Sequence, residues 1–288
     1  MPEARLVLVF VDGLGLAPPG ASNPVTAAGC PVLYRLLAES RPIDAPLGVA
    51  GLPPSATGQT SLLTGVNAPR RIGRHLEGFP NAALRAIIAE HGLFRRCREA
   101  GIPAIFANGY MVESVEAAQA IRFKSATTVA ALSGLGHIQP RAELEAGRAV
   151  AHDIIRDTLG PRGYTGPLIT PAQAAADLAA IAARHRFTLF EFFLTDRAGH
   201  RRDPAQAAAV LGRLDAMLAA LLPLAQAAGV TVALTSDHGN IEDLTVPTHT
   251  RNPVPWSSTG PGPGADRLRD RVDDLTGIVP AVLEALAS

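Results

Sequence analysis

The chain of 288 residues has few of the features that mark secreted, membrane or nucleic-acid-binding proteins. It contains only two cysteines, Cys30 and Cys97, too few for a disulfide framework or a four-ligand structural zinc site. Lys124 is the only lysine, arginine supplies the remaining positive charge, and the net charge is zero, so no nucleic-acid partner is expected. No stretch approaches the ~18 apolar residues of a membrane span, and no signal peptide precedes the first apolar run. We therefore expect a cytoplasmic protein without a membrane partner.

The composition is that of a globular protein, with 47% hydrophobic and 18% charged residues. Short β-branched apolar runs alternate with stretches of helical periodicity. This pattern predicts an α/β fold with a doubly wound, mostly parallel sheet flanked by helices. Residues 1–288 are predicted to form a single domain. Within it, residues 110–171 have a weaker pattern and are expected to form a small lid or to decorate the sheet.

The apolar runs and the helical periodicity give a set of predicted elements. The predicted strands are Arg5–Val11, Pro46–Leu52 (short or extended), Ala104–Ala107, Phe187–Thr195 and Val230–Leu234, with an extended segment at Pro253–Ser258. The predicted helices are Pro31–Ala38, one from Ser55 through Leu63, Ala82–Ala100, one around Glu143–Leu159, Ala172–Arg184, Ala205–Ala228 and Leu275–Leu286. Because ligands bind beyond the carboxyl ends of the strands in such a sheet, the residues that follow the strands are the first candidates for a site.

Carboxylates follow three of the predicted strands directly. Asp12 follows the first strand, Asp196 follows Phe187–Thr195, and Asp237 follows Val230–Leu234 with His238 beside it. Adjacent carboxylate and imidazole donors suit an ion such as Zn²⁺ or Mn²⁺. Each aspartate taken alone is equally explained as a turn or helix-cap residue. Their placement after three separate strands favours a metal site.

Further histidines and hydroxyl residues extend this set. If Asp196-Arg-Ala-Gly-His200 is helical, its two end residues lie one turn apart on the same face. His249 follows the Asp237-His238 pair along the chain. Ser55 and Thr57 lie at the predicted start of a helix, where hydroxyl residues are commonly caps. The alternative is that one hydroxyl points at a phosphate beside the free N–H groups of that helix.

A third group of candidates is basic. These residues are proposed as weak contacts to a substrate phosphate or carboxylate, although solvated loop charges are the commoner explanation. They are Arg70, Arg71, Arg74, His75 and Arg251.

Taken together, the motifs resemble the alkaline phosphatase superfamily, and within it the metal-binding core of cofactor-independent phosphoglycerate mutase and phosphopentomutase. The matching segments are VDGLGLA (Val11–Ala17), PPSATGQT (Pro53–Thr60), DRAGH (Asp196–His200), SDHGN (Ser236–Asn240) and HTRNPVP (His249–Pro255). The resemblance implies two divalent ions, Mn²⁺ or Zn²⁺. It implies one ion on Asp196, His200 and His249, and the other on Asp12, Asp237, His238 and the nucleophile hydroxyl. It also implies Ser55 as the nucleophile, with Thr57 as the alternative register.

The sequence differs from the mutases between the nucleophile and Asp196, where they carry a large inserted domain that closes over the substrate. The lysine that phosphoglycerate mutases place near the phosphate has no counterpart, since Lys124 lies in an unmatched segment. A site that does not exclude water should lose a phosphoenzyme to hydrolysis. We therefore expect an enzyme that hydrolyses a small phosphate ester through a phosphoserine intermediate.

Three alternatives to this hydrolase were weighed. A phosphomutase with a compact lid and a non-catalytic metal-binding protein on the same scaffold remain open. A sulfatase is disfavoured, because the nucleophile segment lacks the Cys-x-Pro-x-Arg pattern of that branch. The sequence determines neither the substrate nor the oligomeric state.

Overall fold

The chain is built around a six-stranded sheet, seen in a computed structural model that describes residues 3–26, 28–261, 265, 268 and 272–287. The strands are β1 (Arg5–Val11), β2 (Arg41–Ile43), β3 (Ala104–Phe106), β4 (Phe187–Phe192), β5 (Val230–Thr235) and β6 (Val254–Thr259). Their order across the sheet is β2-β6-β5-β1-β4-β3. The four strands β5, β1, β4 and β3 run parallel. β6 pairs antiparallel with β5, and the edge strand β2 pairs antiparallel with β6. The predicted α/β fold with a mostly parallel sheet is confirmed.

Helices cover both faces of this sheet. They are α1 (Pro31–Ala38), α2 (Ser55–Thr64), α3 (Ala68–Ile72), α4 (Ala82–His91), α5 (Leu93–Glu99), α6 (Val115–Gln119), α7 (Ala126–Leu135), α8 (Arg141–Glu145), α9 (Pro171–Arg184), α10 (Leu194–Arg201), α11 (Pro204–Ala227) and α12 (Ile278–Leu286), with 3-10 turns at Gly160–Arg162 and Leu275–Gly277. Side chains of α1, α9, α10 and α11 form the core on one face. Those of α2, α4, α5, α7 and α12 form the core on the other.

Strand β1 lies in the middle of the sheet and is buried on both sides. Leu6 and Phe10 pack into one core, while Val7 and Val11 pack into the other. Burial on both faces explains why this strand is a continuous apolar run rather than an alternating one. The same reason holds for β4 and β5, whose residues are all buried. These three strands carry the residues of the site.

Helix α11 is the longest element, and by length and composition it is apolar enough to cross a membrane, with a mean hydropathy of 1.6 over its most apolar window. Arg213 and Asp215 interrupt its apolar residues, so the helix is not a continuous apolar run of ~18 residues. In the structure Val210, Leu214 and Leu218 of α11 are buried in the core that also contains α9 and α1. The helix therefore serves as a core element of the fold.

The strand expected over Pro46–Leu52 is not formed. The edge strand β2 ends at Ile43, and the following residues turn, with positive φ angles of 56° at Leu47 and 67° at Gly48. The Val49 N–H donates to the Pro46 carbonyl across this turn. Proline and glycine at these positions favour a turn over a strand, and this signal outweighs the apolar side chains between them.

The stretch 110–171 contains more helix than expected, in a different place. The helix proposed around Glu143–Leu159 is limited to α8, and α7 was not predicted. Most residues of α7, including Thr127, Val129 and Ala131, are buried. A helix buried nearly all round has no polar stripe, and so its sequence lacks the amphipathic period that predicts a helix.

Two other boundaries also differ from the prediction. The helix expected over Ala82–Ala100 is divided at Gly92 into α4 and α5. Strand β4 ends at Phe192, and the chain enters α10 at Leu194, before the predicted strand end at Thr195. Because the helix begins at Leu194, the DRAGH segment (Asp196–His200) is helical. Asp196 and His200 therefore lie one turn apart, as two ligands of one ion require.

Candidate metal centre

The sequence-predicted ligands converge at the carboxyl edge of β1, β4 and β5. Val11 is paired with Phe192 in β4, and Phe10 with Thr235 in β5, so the three strands end at the same level. Asp12, the start of α10 and Asp237 therefore follow side by side. The loop that returns to β6 brings His249 over the same edge, where its ring stacks on that of His238 at a centroid distance of 3.9 Å.

The first ligand group is buried and consists of Asp12, Asp237 and His238. His238 Nε2 lies 3.3 Å from Asp12 Oδ1 and 3.5 Å from Asp237 Oδ2. The side chains of Asp237 and His238 are completely buried, and that of Asp12 is 11% exposed. Each of the three residues thus directs one donor atom to a common point.

The second ligand group is centred on Asp196. Its Oδ1 lies 3.4 Å from His200 Nε2 and 3.5 Å from His249 Nε2, and the two imidazole nitrogens are 3.2 Å apart. His238 also lies close enough to Asp196 and His249 to join this group. The side chain of His200 is 41% exposed, whereas that of His249 is 11% exposed. The second group is therefore open to solvent on the His200 side.

Ser55, the first residue of α2, points its hydroxyl into the first group. Its Oγ lies 3.0 Å from His238 Nε2, and the residue lines the cavity in front of the ligands. Thr57, the alternative nucleophile, is fully buried, and its Oγ1 accepts a hydrogen bond from the Leu76 N–H. The geometry favours Ser55 over Thr57 as the reactive hydroxyl.

Two glycines let these segments approach one another. A side chain on Gly13 would place its Cβ 2.8 Å from the Asp196 Cα, and the residue has a positive φ of 72° that favours glycine. A Cβ on Gly58 of α2 would lie 2.9 Å from the Asp237 carbonyl oxygen. Gly13 thus lets the segment after β1 approach α10, and Gly58 lets α2 approach the Asp237 loop.

The clustered carboxylates control the protonation of the group. Burial, together with the charge of Asp237, raises the pKa of Asp12 well above its usual range, and burial likewise raises the pKa of Asp237. Burial acts to lower the pKa of His238, but the charge of Asp237 and the contact with Asp12 outweigh it and raise this pKa to about 10. Burial opposes ionisation of Asp196 as well, yet the hydrogen bond with His249 and the charge of His238 lower its pKa to about 2.

The donor atoms fit divalent ions. Among the described side chains, Asp12 Oδ1 and Asp237 Oδ2 are buried oxygens without a hydrogen-bond partner, an unfavourable state that a cation would relieve. Since a carbonyl oxygen only accepts, His200 Nδ1 must donate to the Pro247 carbonyl at 3.0 Å, which leaves Nε2 free as a ligand atom. Ligands held about 2.0–2.1 Å from a tetrahedral zinc lie about 3.3–3.4 Å apart. The observed separations of 3.2 to 3.5 Å match that spacing.

A cavity of about 500 Å³ opens in front of Ser55. Its wall contains Arg162 and Arg197, neither of which has an ion-pair partner among the described residues. Phe193 also lines the wall. The Arg197 guanidinium carbon lies over its ring, 4.8 Å from the centroid, and the His152 ring stacks on it. Burial, with the charges of Arg162 and Arg197, lowers the pKa of His152 to about 3 and keeps it neutral.

The basic residues proposed from the sequence do not line this cavity. The arginines 70, 71 and 74 lie on the exposed surface of α3 and the turn after it. His75 contacts the Val49 carbonyl, and burial lowers its pKa. Arg251 is exposed, and its charge also acts to lower the pKa of His75. Sequence reasoning instead missed Arg162 and Arg197, because an isolated arginine in a loop or helix carries no positional signal.

Sequence reasoning also missed the residues that orient the ligands. Gln59 donates to Asp12 Oδ2 at 3.0 Å, and Asn240 donates to Asp196 Oδ1 at 2.7 Å. Helical spacing was an available signal for the first, since Ser55 and Gln59 are one turn apart on α2. Asn240 lies inside the quoted SDHGN motif.

Glu242 ties together the loops that carry the ligands. Its carboxylate accepts hydrogen bonds from the backbone N–H groups of Gly15 at 2.9 Å and Asn240 at 2.7 Å. The Thr250 hydroxyl and the Asn252 amide donate to its other oxygen. The residue is only 1% exposed. One side chain thus connects the segments after β1, after β5 and before β6.

Parts of the chain are similar in sequence to known metalloenzymes and phosphomutases. The model of the Metalloenzyme superfamily matches residues 158–287, which contain five of the proposed ligands. The chain is 27% identical over 198 residues to a 2,3-bisphosphoglycerate-independent phosphoglycerate mutase of Pyrococcus horikoshii, a match that covers 68% of this chain and 46% of that protein. It is 42% identical over 91 residues to a phosphopentomutase of Methylobacterium sp., covering 30% of this chain and 21% of the relative. The matched stretches thus span less than half of these curated relatives.

The fold is similar to that of the alkaline phosphatase from the Antarctic bacterium TAB5. The TM-score is 0.55 at 12% identity, and the alignment covers 99% of this chain and 98% of that one. The chain is thus similar, over less than half of its length, to a superfamily of metalloenzymes, and its fold is similar to that of an alkaline phosphatase. Within that class, its curated relatives are phosphoglycerate mutases and a phosphopentomutase.

Proposed function

We propose that the protein is a metal-dependent phosphohydrolase that uses Ser55 to attack a small phosphate ester. The observation that carries this proposal is the 3.0 Å distance between Ser55 Oγ and His238 Nε2, at the junction of the two ligand groups. A serine hydroxyl is a weak nucleophile at neutral pH and needs a base or a metal to become reactive. A hydroxyl among buried carboxylates and imidazoles is in a setting where a bound cation can activate it.

Two divalent ions, Mn²⁺ or Zn²⁺, complete the site in this proposal. Asp196, His200 and His249 would hold one of them, and Asp12, Asp237, His238 and the Ser55 hydroxyl the other. When bound, such ions supply Lewis acidity to the serine hydroxyl, the leaving oxygen and the phosphoryl oxygens. Gln59 orients Asp12 and Asn240 orients Asp196, through the hydrogen bonds they donate.

The protein residues define the rest of the reaction. Ser55 Oγ attacks phosphorus, the bond between phosphorus and the ester oxygen breaks, and the alcohol leaves with a proton. Water then attacks the phosphoserine and releases inorganic phosphate. Arg162 and Arg197 bind the anionic substrate, since both residues line the cavity and neither has a carboxylate partner among the described residues.

Access of water supports a hydrolase over a mutase. The His200 side chain is 41% exposed, so solvent reaches the second ligand group directly. Residues of the 110–171 stretch, including Tyr110 and Leu159, form one wall of the cavity, which supports its role as a small lid within a single domain. A lid of this size leaves a phosphoserine open to water. We expect a cytoplasmic enzyme whose partner is a small phosphorylated substrate.

The direct test compares alanine variants of the two hydroxyl residues. Ser55→Ala should bind Mn²⁺ or Zn²⁺ and yet lose turnover of an aryl phosphate by about 1000-fold or more. Thr57→Ala is the control, because its hydroxyl faces the Leu76 N–H, and it should keep its activity. Full turnover by the Ser55 variant would remove the nucleophile assignment. Loss of turnover in Thr57→Ala alone would assign the nucleophile to Thr57 instead of Ser55.

A phosphomutase is the second candidate, favoured by the names of the curated relatives. It predicts that labelled phosphate reappears on another hydroxyl of a phosphosugar or phosphoglycerate with no free phosphate released. Both products should therefore be measured in one assay. Metal binding without turnover of any ester would instead favour a non-catalytic metal-binding protein.

A further inference from the structure

The cavity in front of Ser55 is bordered by two stacked aromatic side chains. Phe79 follows α3 and Phe123 precedes α7, and both line the cavity. Their ring centroids are 5.5 Å apart, with an angle of 29° between the planes. The guanidinium of Arg122 lies 5.0 Å from the centroid of the Phe123 ring. We call Phe79 and Phe123 the aromatic pair.

Both rings are unusually exposed for their size. Phe79 is 53% and Phe123 59% exposed, although the other large aromatic side chains of the described core, such as Phe106 and Phe190, are fully buried. Exposed large apolar residues scattered singly need no explanation, whereas two in contact at the border of a ligand cavity mark a binding surface. The faces of such rings suit another planar ring, which stacks at centroid distances of about 4.5–7 Å.

We infer that the substrate carries a planar aromatic ring that stacks against the aromatic pair while its phosphate ester reaches Ser55. This inference rests on the proposed function and specifies its substrate class. The cavity volume of about 500 Å³ lies within the range typical of pockets for whole small molecules, about 300–1,000 Å³. A three-carbon phosphate fills only a small part of such a space. The ring is either a nucleobase or a simple aryl group.

Two polar side chains that line the same cavity, those of Tyr110 and Asn108, are already partnered within the protein. The Tyr110 hydroxyl hydrogen-bonds to Thr128 Oγ1 at 2.6 Å, and the Asn108 side chain bonds to both backbone groups of Glu191. Little donor or acceptor capacity is therefore left to read ring substituents. Recognition should depend on stacking area, and it should discriminate ring from no ring more strongly than one ring from another.

The test measures kcat/KM of the metal-loaded protein on three phosphate monoesters: adenosine 5′-monophosphate, phenyl phosphate and glycerol phosphate. The variants are Phe79→Ala and Phe123→Ala. Leu168→Ala is the matched control, since Leu168 is 64% exposed and lies outside the cavity. We expect kcat/KM for the ring-bearing esters to fall by about 10- to 100-fold in the phenylalanine variants. In these variants kcat/KM for glycerol phosphate should stay within about twofold of the parent value. Phe79→Tyr keeps an aromatic ring and should therefore retain most of the parent's kcat/KM for the ring-bearing esters.

The outcomes separate recognition from other roles. An equal fall on all three esters means that the pair only closes the cavity, and it would overturn the inference. No fall on any ester would overturn it as well. A loss confined to adenosine monophosphate identifies the ring as a nucleobase, and equal losses on both ring-bearing esters identify a general aryl site.

A binding measurement keeps this inference distinct from the hydrolase proposal. If no ester is turned over, titration calorimetry of adenosine 5′-monophosphate and glycerol phosphate with the metal-loaded protein still compares ring with no ring. The inference is supported, even when the hydrolase proposal fails, if the parent protein binds the nucleotide more tightly than glycerol phosphate and both alanine variants lose this preference. Equal binding of the two ligands overturns the inference even when hydrolysis is observed.

Discussion

Replacing Glu242 with alanine tests whether one buried carboxylate holds the ligand loops together. The change leaves the backbone N–H groups of Gly15 and Asn240 without an acceptor, in a position that is only 1% exposed. Each buried donor left unsatisfied costs about 1–3 kcal/mol, so two of them amount to roughly 2–6 kcal/mol. The Thr250 hydroxyl can rotate to another partner and is left out of this figure.

The glutamine variant has a different expected outcome. The carbonyl oxygen of Glu242→Gln can still accept from Gly15 and Asn240, while its NH₂ group faces Thr250 and Asn252. A hydroxyl can accept as well as donate, and the Asn252 amide can turn its oxygen inward. The glutamine variant should therefore lose less than half as much stability as the alanine variant.

Urea unfolding of the metal-free protein and a metal-binding titration measure the two consequences. Glu242→Ala should lower the free energy of unfolding by at least about 2 kcal/mol and weaken metal binding, because Asn240 also orients Asp196. Glu99→Ala is the control, since the Glu99 side chain is 55% exposed and forms a surface ion pair with Arg95, and its effect should stay below about 0.5 kcal/mol. If Glu242→Ala lies within that same 0.5 kcal/mol, the assigned role of Glu242 is wrong.

Three further predictions concern the ligands and their packing. Neighbouring carboxylates outweigh burial and raise the pKa of His238 to about 10, so the metal-free protein holds a proton on this imidazole between pH 7 and 9. Because a bound ion must displace that proton, the affinity for zinc should rise about tenfold per pH unit over this range. Chelator competition at several pH values measures this, and a flat profile contradicts it. His200→Ala should reduce the bound ions from two to one, as counted by elemental analysis, with the remaining ion held as tightly as in the parent. Gly58→Ala forces a Cβ to 2.9 Å from the Asp237 carbonyl oxygen and should destabilise the protein by about 1–3 kcal/mol in urea unfolding. Gly212→Ala in α11 is the control for a glycine replaced within a helix, because its Cβ would meet only the Gly29 carbonyl oxygen, at 4.0 Å.

The strands of the sheet and the residues that follow them were largely predictable from the sequence. β1 is a continuous apolar run followed by Asp12, and β5 is a mostly apolar run followed by Ser236 and Asp237, a pattern that follows from burial of both strands on both faces. The convergence of Asp12, Asp196 and Asp237 then follows from parallel strand packing. The division of the ligands into two groups did not follow from spacing. It came from the family resemblance.

The walls of the cavity were not predictable in the same way. Phe79, Phe123 and Arg162 lie in irregular segments, where neither the period of a helix nor that of a strand indicates which way a side chain points. Arg197 is inside a recognised motif, but its direction depends on how α10 packs against Phe193. α7 was missed because its burial removes the polar stripe that predicts a helix. Side-chain direction in loops is set by tertiary packing, and a single sequence does not encode it locally.

The ligands are spread over most of the chain, from Asp12 after the first strand to His249 before the last. During synthesis the nascent polypeptide therefore cannot complete the first ligand group until residue 238, or the second until residue 249, has emerged from the ribosome. Any ion captured earlier would be held by a partial, weakly binding set and would exchange freely. Under the proposed two-ion site, metal selection then falls at the last stage of folding, when the composition of the surrounding metal pool decides which ion is retained.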